Sequence, residues 1–392
     1  MKIKVTQDKL SKALANISRI AIGKATLPIL NNILIRVDNK KVSLITTNLD
    51  MAIIDFLPVS NSENGVITVP AKLLTEFISN LPKGEVVEIS SKDTKVTIKA
   101  GKYSSIINGT LADDFPDLPE INDKKAVTYK IGVDEFKNSI GQVIIAASND
   151  LTRPALTGVY FDTNNNSLFA VSTDGYRLAK KELINKVESE VKAIVPASSL
   201  HEVLRSLSDD IEEVEISFND DLVRFRLGEI EIISKLIDAS YPNYQALIPK
   251  NNDVNIDLDQ EETIRTTKLA ALFARSVDGS IICEAKTPDT LSIRSVANEF
   301  GENDSEIKTK VSKDCITRLN SRFFIAALSA FDTPNITMEF SSGVKPIVLH
   351  GKKDTKYIHI IMPLSKWLLN LLHSLISVIT PTTKWSVMMK FR

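Results

Sequence analysis

Cysteine is nearly absent from this 392-residue chain, which has two, and histidine is scarce, with four. Cys283 and Cys315 have no ligand spacing, so a disulfide framework is excluded and a reducing compartment is expected. The histidines, at 201, 350, 359 and 373, are scattered, and although His350 and His359 could be strand neighbours, they read as surface or structural residues. The N-terminal Met1-Lys2-Ile3-Lys4-Val5 has no apolar stretch of the kind a secretory signal needs. A surplus of positive charge is missing too: the formal net charge is −1. That excludes a protein gripping nucleic acid through a basic surface overall, but not one with a local basic face.

Catalytic signatures are also missing. There is no Walker loop, G-x-G-x-x-G, H-E-x-x-H, G-x-S-x-G or C-x-x-C. Asp174-Gly175 reads as a hairpin turn, where glycine supplies positive φ. An Asp174–His201 acid–base dyad would have no nucleophile or metal to serve. A chain of this length without a catalytic constellation is expected to be a binding protein, with no cofactor and no metal.

What the chain has is a repeat of 126 residues. Pro28 and Leu30 recur as Pro154 and Leu156, and Thr47 recurs as Thr173. Val69-Pro70-Ala71 recurs as Val195-Pro196-Ala197, Glu76 as Glu202, and Phe115-Pro116 as Tyr241-Pro242. Val-Glu-Ile-Ser stands at 87–90 and again at 214–217. The period suits a whole domain rather than a solenoid unit. A weaker third copy follows, with 320–331 lining up with 196–207 at an offset of 124. The expected domains are 1–125, 126–252 and 253–364, followed by an atypical extension, 365–392.

Each copy reads as strands with two short helices. The spacing of Leu10, Ala13, Leu14 and Ile17 predicts a helix from Thr6 to about Ile20. Alternation predicts strands over 32–37, 42–46, 51–57, 86–90, 95–100 and 104–108. A second helix is expected after Pro70, burying Leu74, Phe77, Ile78 and Leu81. Copy two predicts helices over 134–147 and from Pro196, and copy three one over 268–275. The expected class is α+β, three tandem copies of a two-helix plus sheet domain.

Charge is uneven along this pattern. Lys12, Asn16 and Arg19 fall on one helical stripe opposite the apolar face. Lys24, Lys72, Lys137, Arg205, Lys268, Arg275 and Arg322 occupy comparable positions, while acids gather in loops. A basic face repeated on equivalent helices suits a polyanion. No aromatic stripe accompanies it, which disfavours single strands, and no recognition helix or zinc finger suggests base readout.

Thr173-Asp174-Gly175-Tyr176-Arg177-Leu178, Thr26-Leu27-Pro28-Ile29-Leu30, Asp114-Phe115-Pro116 and Ile361-Met362-Pro363-Leu364, in this order on a triple repeat, resemble the bacterial DNA polymerase III β subunit family, the sliding clamps. The resemblance covers about residues 1–364. It implies a non-catalytic processivity factor of the cytoplasm. Two chains would form a homodimeric ring around double-stranded DNA, helices inside and sheets outside, without sequence preference. It implies DNA contacts at Lys12, Arg19, Lys24, Asn149 and Arg205. The dimer edge falls on Tyr103, Ser105, Ile106 and Ile107, with a third-domain partner strand near 270–305. A peptide pocket is implied at Leu156, Thr173, Gly175, Tyr176, Arg177, Leu178, Pro242, Leu247, Val344, Pro346, Ile360, Met362, Pro363 and Leu364. Its expected partners are the polymerase III α subunit, the clamp loader δ subunit and other proteins with clamp-binding motifs; no membrane partner is expected. The alternative is a repeat scaffold that binds peptides without encircling DNA. The extension departs from the family: 367–379 is apolar but shorter than the roughly 20 residues of a membrane span.

Overall fold

A computed structural model of the chain describes residues 1–21, 27–38, 41–59, 61–274, 278–297, 301–352, 354 and 356–364. Lys24, Arg275 and the extension 365–392 lie outside the described residues.

One connectivity, strand–helix–four strands–helix–three strands, occurs three times, with one extra short strand in copy one. Copy one runs β1 (Lys2–Thr6), α1 (Gln7–Ala21), β2 (Asn32–Asp38), β3 (Lys41–Thr47), β4 (Met51–Pro58), β5 (Asn61–Glu63), β6 (Gly65–Pro70), α2 (Ala71–Ser79), β7 (Val86–Lys92), β8 (Lys95–Ala100) and β9 (Tyr103–Asn108). Copy two runs β10 (Val127–Gly132), α3 (Val133–Ile144), β11 (Gly158–Asn164), β12 (Ser167–Thr173), β13 (Arg177–Asn185), β14 (Lys192–Pro196), α4 (Ala197–Ser206), β15 (Glu213–Phe218), β16 (Leu222–Leu227) and β17 (Ile230–Lys235). Copy three runs β18 (Val254–Asp259), α5 (Gln260–Phe273), β19 (Ser280–Lys286), β20 (Thr290–Ala297), β21 (Gly301–Lys308), β22 (Cys315–Asn320), α6 (Ser321–Ser329), β23 (Asn335–Phe340), β24 (Ile347–Gly351) and β25 (Tyr357–Ile361).

The described residues divide into two compact units, one within 1–172 and 181–241, the other within 173–180 and 242–364. In the first unit a sheet ordered β10-β15-β16-β17-β4-β3-β2-β6 runs through the joint between copies one and two. Its seam is the antiparallel pair β17–β4, with Ile230 opposite Asp55 and Ser234 opposite Met51. A second sheet, β5-β1-β7-β8-β9, leaves β9 as an edge. In the second unit β18, β23, β24 and β25 pair in that order, and β21-β20-β19-β22 form a four-stranded sheet.

Side chains cap α5 and α6, from Asp259 and Asn320, whereas α2, α3 and α4 begin without a side-chain cap and rest on apolar spacing. On α1, Leu10, Ala13, Leu14 and Ile17 are all buried as expected. On α4 the buried set is Ser199, Leu200, Val203 and Ser206 together with Glu202, a carboxylate that periodicity alone does not mark. Two further helix boundaries differ from expectation. The helix expected over 134–147 ends at Ile144, and Ala146 beyond it is still buried. The helix expected over 268–275 is α5, which begins at Gln260, capped by Asp259 accepting from Glu262 N at 2.8 Å. It turns Thr263, Thr266 and Thr267 inward, so its buried face does not look apolar in sequence. Lys2–Thr6, noted in sequence only for lacking an apolar stretch, is a strand with Ile3 and Val5 inward and Lys2 and Lys4 paired to Glu88.

The joint between the two helices of a copy is also repeated. The first amide of each first helix donates to a loop carbonyl: Gln7 to Glu85, Val133 to Glu212, Gln260 to Pro334. In copies one and three the glutamine side chain reaches the end of the second helix. Gln7 donates to Ile78 O at 2.9 Å, and Gln260 to Leu328 O and Phe331 O at 2.7 and 2.8 Å. These bonds satisfy C-terminal carbonyls that have no partner within the helix.

Candidate functional site

All the expected peptide-site residues but Leu156 lie in the second unit, and Thr173, Gly175, Tyr176, Arg177 and Leu178 lie in or beside the turn between β12 and β13. Thr173 Oγ1 donates to Arg177 O at 2.6 Å and accepts from Gly175 N at 3.1 Å. Asp174 Oδ1 accepts from the amides of Tyr176 and Arg177 at 2.9 and 3.0 Å. Gly175 sits at φ +91°, a region glycine enters without a Cβ clash. The turn therefore consumes Asp174, whose Oδ2 also accepts from Arg177 Nε at 3.1 Å. This carboxylate is a fixture of the turn.

Arg177 is held on a second side by an aromatic ring. Its guanidinium carbon lies 4.7 Å from the Phe323 centroid, and Tyr176 stacks near the same ring at 6.4 Å and 26°. Arginine over an aromatic face contributes about 0.5–1 kcal/mol when exposed and more when desolvated. Phe323 on α6 was not expected in the site; among the apolar residues of a helix, nothing in sequence separates it from the core. The end of the chain's last described strand is laid against this turn. Met362 N donates to Tyr176 O, and Leu364 N to Arg318 O, both at 2.8 Å.

Behind Arg177 lies a buried polar pair. Tyr357 Oη and His359 Nδ1 are 2.8 Å apart, and both residues are fully buried. Burial, assisted by the Arg177 charge, pushes His359 down to about 3, so it is neutral. Burial pushes the Tyr357 phenol well above its ordinary range.

The remaining expected residues divide by exposure. Tyr176 (58%), Val344 (69%), Leu247 (42%) and Met362 (37%) present apolar surface to solvent, and Gly175 and Pro242 are exposed as well. Pro346, Pro363 and Leu364 are half-buried. Thr173, Leu178 and Ile360 are buried and back the surface. Leu156 belongs to the first unit, half-buried on a short 3-10 turn, Pro154–Thr157.

The expected cations of the first unit are largely partnered. Lys12 Nζ is 3.3 Å from Asp210, and Asn16 donates to the Asp55 carboxylate at 3.2 Å. Arg19 Nε donates to Glu202 Oε2 at 2.8 Å, Nη2 to Ser206 Oγ at 3.1 Å and Nη1 to Ala15 O at 2.9 Å. Arg205 Nη1 donates to the other oxygen of Glu202 at 2.6 Å. One buried carboxylate thus joins α1 of copy one to α4 of copy two and partly neutralises two arginines. Arg19 is tied down on every side, whereas the Arg205 and Lys12 side chains remain 61% and 59% exposed. Asn149 is exposed after α3.

On the β9 edge Ile106 and Tyr103 are exposed, at 64% and 41%, and Ser105 is half-buried. Ile107 is buried in its own core, so it offers the edge only its backbone. Among the described residues, no helix is long and apolar enough to cross a membrane, and no three His, Cys, Asp or Glu side chains gather as metal ligands.

A thrice-repeated two-helix plus sheet unit, with one sheet running through the joint between copies one and two, defines a clamp-type α+β protein. Residues 1–119, 130–243 and 245–365 match the family models of the DNA polymerase III β subunit N-terminal, central and C-terminal domains. The chain is 28% identical over 375 residues to the Staphylococcus epidermidis β sliding clamp, covering 93% of this chain and 99% of that one. The Bacillus subtilis sliding clamp structure superposes with a TM-score of 0.88 at 26% identity, covering 93% and 99% of the two chains. The Pseudomonas aeruginosa β subunit structure gives 0.88 at 24% identity, with 93% and 100% covered. The chain belongs to the DNA polymerase III β subunit family, the sliding clamps, non-catalytic processivity factors of DNA replication.

Proposed function

We propose that two copies of this chain close into a ring around duplex DNA and tether polymerase and repair proteins through the cleft at Tyr176, Arg177 and Met362. The domains are 1–125, 126–252 and 253–364. The observation that carries this reading is the threefold connectivity, with the family's domain matches in the same order. A ring held topologically needs few phosphate contacts, and weak ones permit sliding. The shared Glu202 suits that task, because it leaves Arg19 and Arg205 with a net charge of one.

The deciding experiment is retention on circular but not linearised DNA after loading by a clamp loader. Equal loss from both leaves the scaffold reading. The dimer edge is β9, flanked by Lys95, Lys99 and Lys102. Its counterpart is β21, an edge strand carrying Glu302, Asp304 and Glu306. Ile106→Lys is expected to raise the dimer dissociation constant more than tenfold by light scattering without lowering the monomer's melting temperature. For DNA, Arg205→Ala is expected to reduce the salt slope of binding by about 1. Arg19→Ala should change that slope little and instead cost about 1–3 kcal/mol of folding stability, since the half-buried pair to Glu202 is broken.

A further inference from the structure

A cavity of about 460 Å³ lies wholly within the first unit, where copies one and two meet. Its walls come from α1, β4, the loop after α4 and the β16–β17 turn. A volume of this size at a joint between domains suits a small organic molecule. Ala13, Leu57, Ile211 and Ile230, all buried, give it an apolar wall. Asp55 lies on the same face of β4 as Leu57, two residues on, and also lines the cavity. This carboxylate is only 6% exposed. Its Oδ2 accepts from Asn16 Nδ2 at 3.2 Å; among the described residues, its Oδ1 accepts no hydrogen bond. A buried carboxylate with a single neutral donor is costly to ionise. Burial first, and the Glu229 charge after it, push Asp55 up from 3.8 to about 6. Lys12 eases this only at a distance, because its Nζ is engaged by Asp210 at 3.3 Å. An anion in the cavity would meet the charges of Asp55 and Glu229 unfavourably, whereas a cation would offset them.

We propose that this cavity is a binding site for a small organic cation, an amidinium, guanidinium or primary ammonium on an apolar body. The N–H groups of the ligand bond the Asp55 carboxylate, and its body lies against Ala13, Leu57, Ile211 and Ile230. A charge-assisted pair replaces the single neutral hydrogen bond, and a planar amidinium can use both carboxylate oxygens. The ligand touches α1 and β4 of copy one and the loops of copy two, so it stabilises the joint between them by linkage. Binding favours the ionised form of Asp55 and therefore weakens as the pH falls through about 6. The other charged groups lining the cavity are Lys9 and Lys12 from α1, Asp210 from the loop after α4 and Glu229 from the β16–β17 turn.

The probe is benzamidine, with benzamide as its neutral isostere, titrated into the full chain while the Ile211 and Ile230 methyl resonances are followed by NMR. Benzamidine is expected to move both with a dissociation constant of about 1 mM or tighter, and benzamide to bind at least about tenfold more weakly. Asp55→Asn keeps the shape of the side chain and an acceptor for Asn16 but removes the charge. It should weaken benzamidine binding by at least about tenfold in a chain that is folded and more stable at neutral pH. In the unsubstituted chain, affinity should fall about tenfold between roughly pH 7.5 and 5, as Asp55 takes up a proton, and this fall should be absent from Asp55→Asn. Equal affinity for benzamidine and benzamide overturns the proposal, as does benzamidine binding unchanged by Asp55→Asn. So does the absence of shifts at Ile211 and Ile230 with benzamidine at about 20 mM, where a site of the expected affinity is almost filled.

Discussion

Thr47–Met51 in copy one and Thr173–Arg177 in copy two are the same turn carrying different side chains. Thr47 Oγ1 donates to Met51 O at 2.9 Å and accepts from Leu49 N at 3.1 Å, as Thr173 does with Arg177 and Gly175. Asn48 Oδ1 accepts from the amides of Asp50 and Met51, as Asp174 does from Tyr176 and Arg177. The third turn residue has positive φ in both, +78° at Leu49 and +91° at Gly175. Met51 is buried at the sheet seam, while Arg177 is braced by Asp174 and Phe323. The same backbone device thus carries a buried methionine in copy one and a braced arginine in copy two.

The two neighbourhoods should respond to pH in opposite senses, and this is the largest effect expected. Asp55, on the strand after the copy-one turn, is pushed up from 3.8 to about 6, chiefly by burial. Its folded state holds a proton that the unfolded chain releases, so the first unit loses stability as pH rises from 3.8 through about 6. The shift corresponds to on the order of 3 kcal/mol at neutral pH. Asp55→Asn should recover much of it. His359, beside the copy-two turn, is pushed down from 6.5 to about 3. The unfolded chain binds a proton that the folded one refuses, so the second unit loses stability as pH falls below 6.5, by up to about 1.4 kcal/mol per pH unit. His359→Phe should flatten that slope. Hydrogen exchange, corrected for intrinsic rates and read separately in each unit, checks both, and parallel pH profiles in the two units would break the contrast.

Of these two groups sequence reading marked only His359, as a surface or structural residue, and it gave no sign of Asp55. The period, α1, the Pro-led helices and the Asp174–Gly175 turn were legible because caps, apolar spacing and turn chemistry are local. Glu202 was not, since its partner Arg19 is 183 residues away. Phe323 was hidden by belonging to an ordinary apolar helix, and α5 by the threonines of its buried face. Lys12 and Arg19 were legible as a stripe, but their carboxylate partners depend on how two copies pack. The family resemblance supplied the expected peptide-site residues; the structure separates those that are exposed from those that are buried.

Next in size is the exchange of the side chain that distinguishes the turns. Arg177→Met installs the copy-one residue on the copy-two backbone. It removes the contact to Phe323 and leaves Asp174 with its backbone bonds. Arginine is a typical interface anchor, and Arg177 is the proposed one, so affinity for a polymerase peptide should fall by about 2 kcal/mol, roughly thirtyfold. The melting temperature of the second unit should hardly move, because the turn's own hydrogen bonds remain. A large loss of stability with little loss of binding would reverse the roles assigned to Arg177 and to the turn.

The smallest effect, and the most direct test of equivalence, exchanges the third residue of each turn. Leu49 holds φ +78° with a Cβ present, a conformation that costs about 1–2 kcal/mol for a residue other than glycine. Leu49→Gly should relieve that strain at the expense of a more flexible unfolded chain, netting at most about 1 kcal/mol of stabilisation. Gly175→Leu imposes the same strain on copy two and should destabilise it by about 1–2 kcal/mol. Because Leu49 shows that this backbone accepts leucine, Gly175→Leu should still fold, and its turn should keep the Thr173 and Asp174 bonds. Urea unfolding of both variants measures the pair. Changes of the same sign would mean that the two turns, alike in hydrogen bonding, differ in what their surroundings require of the backbone.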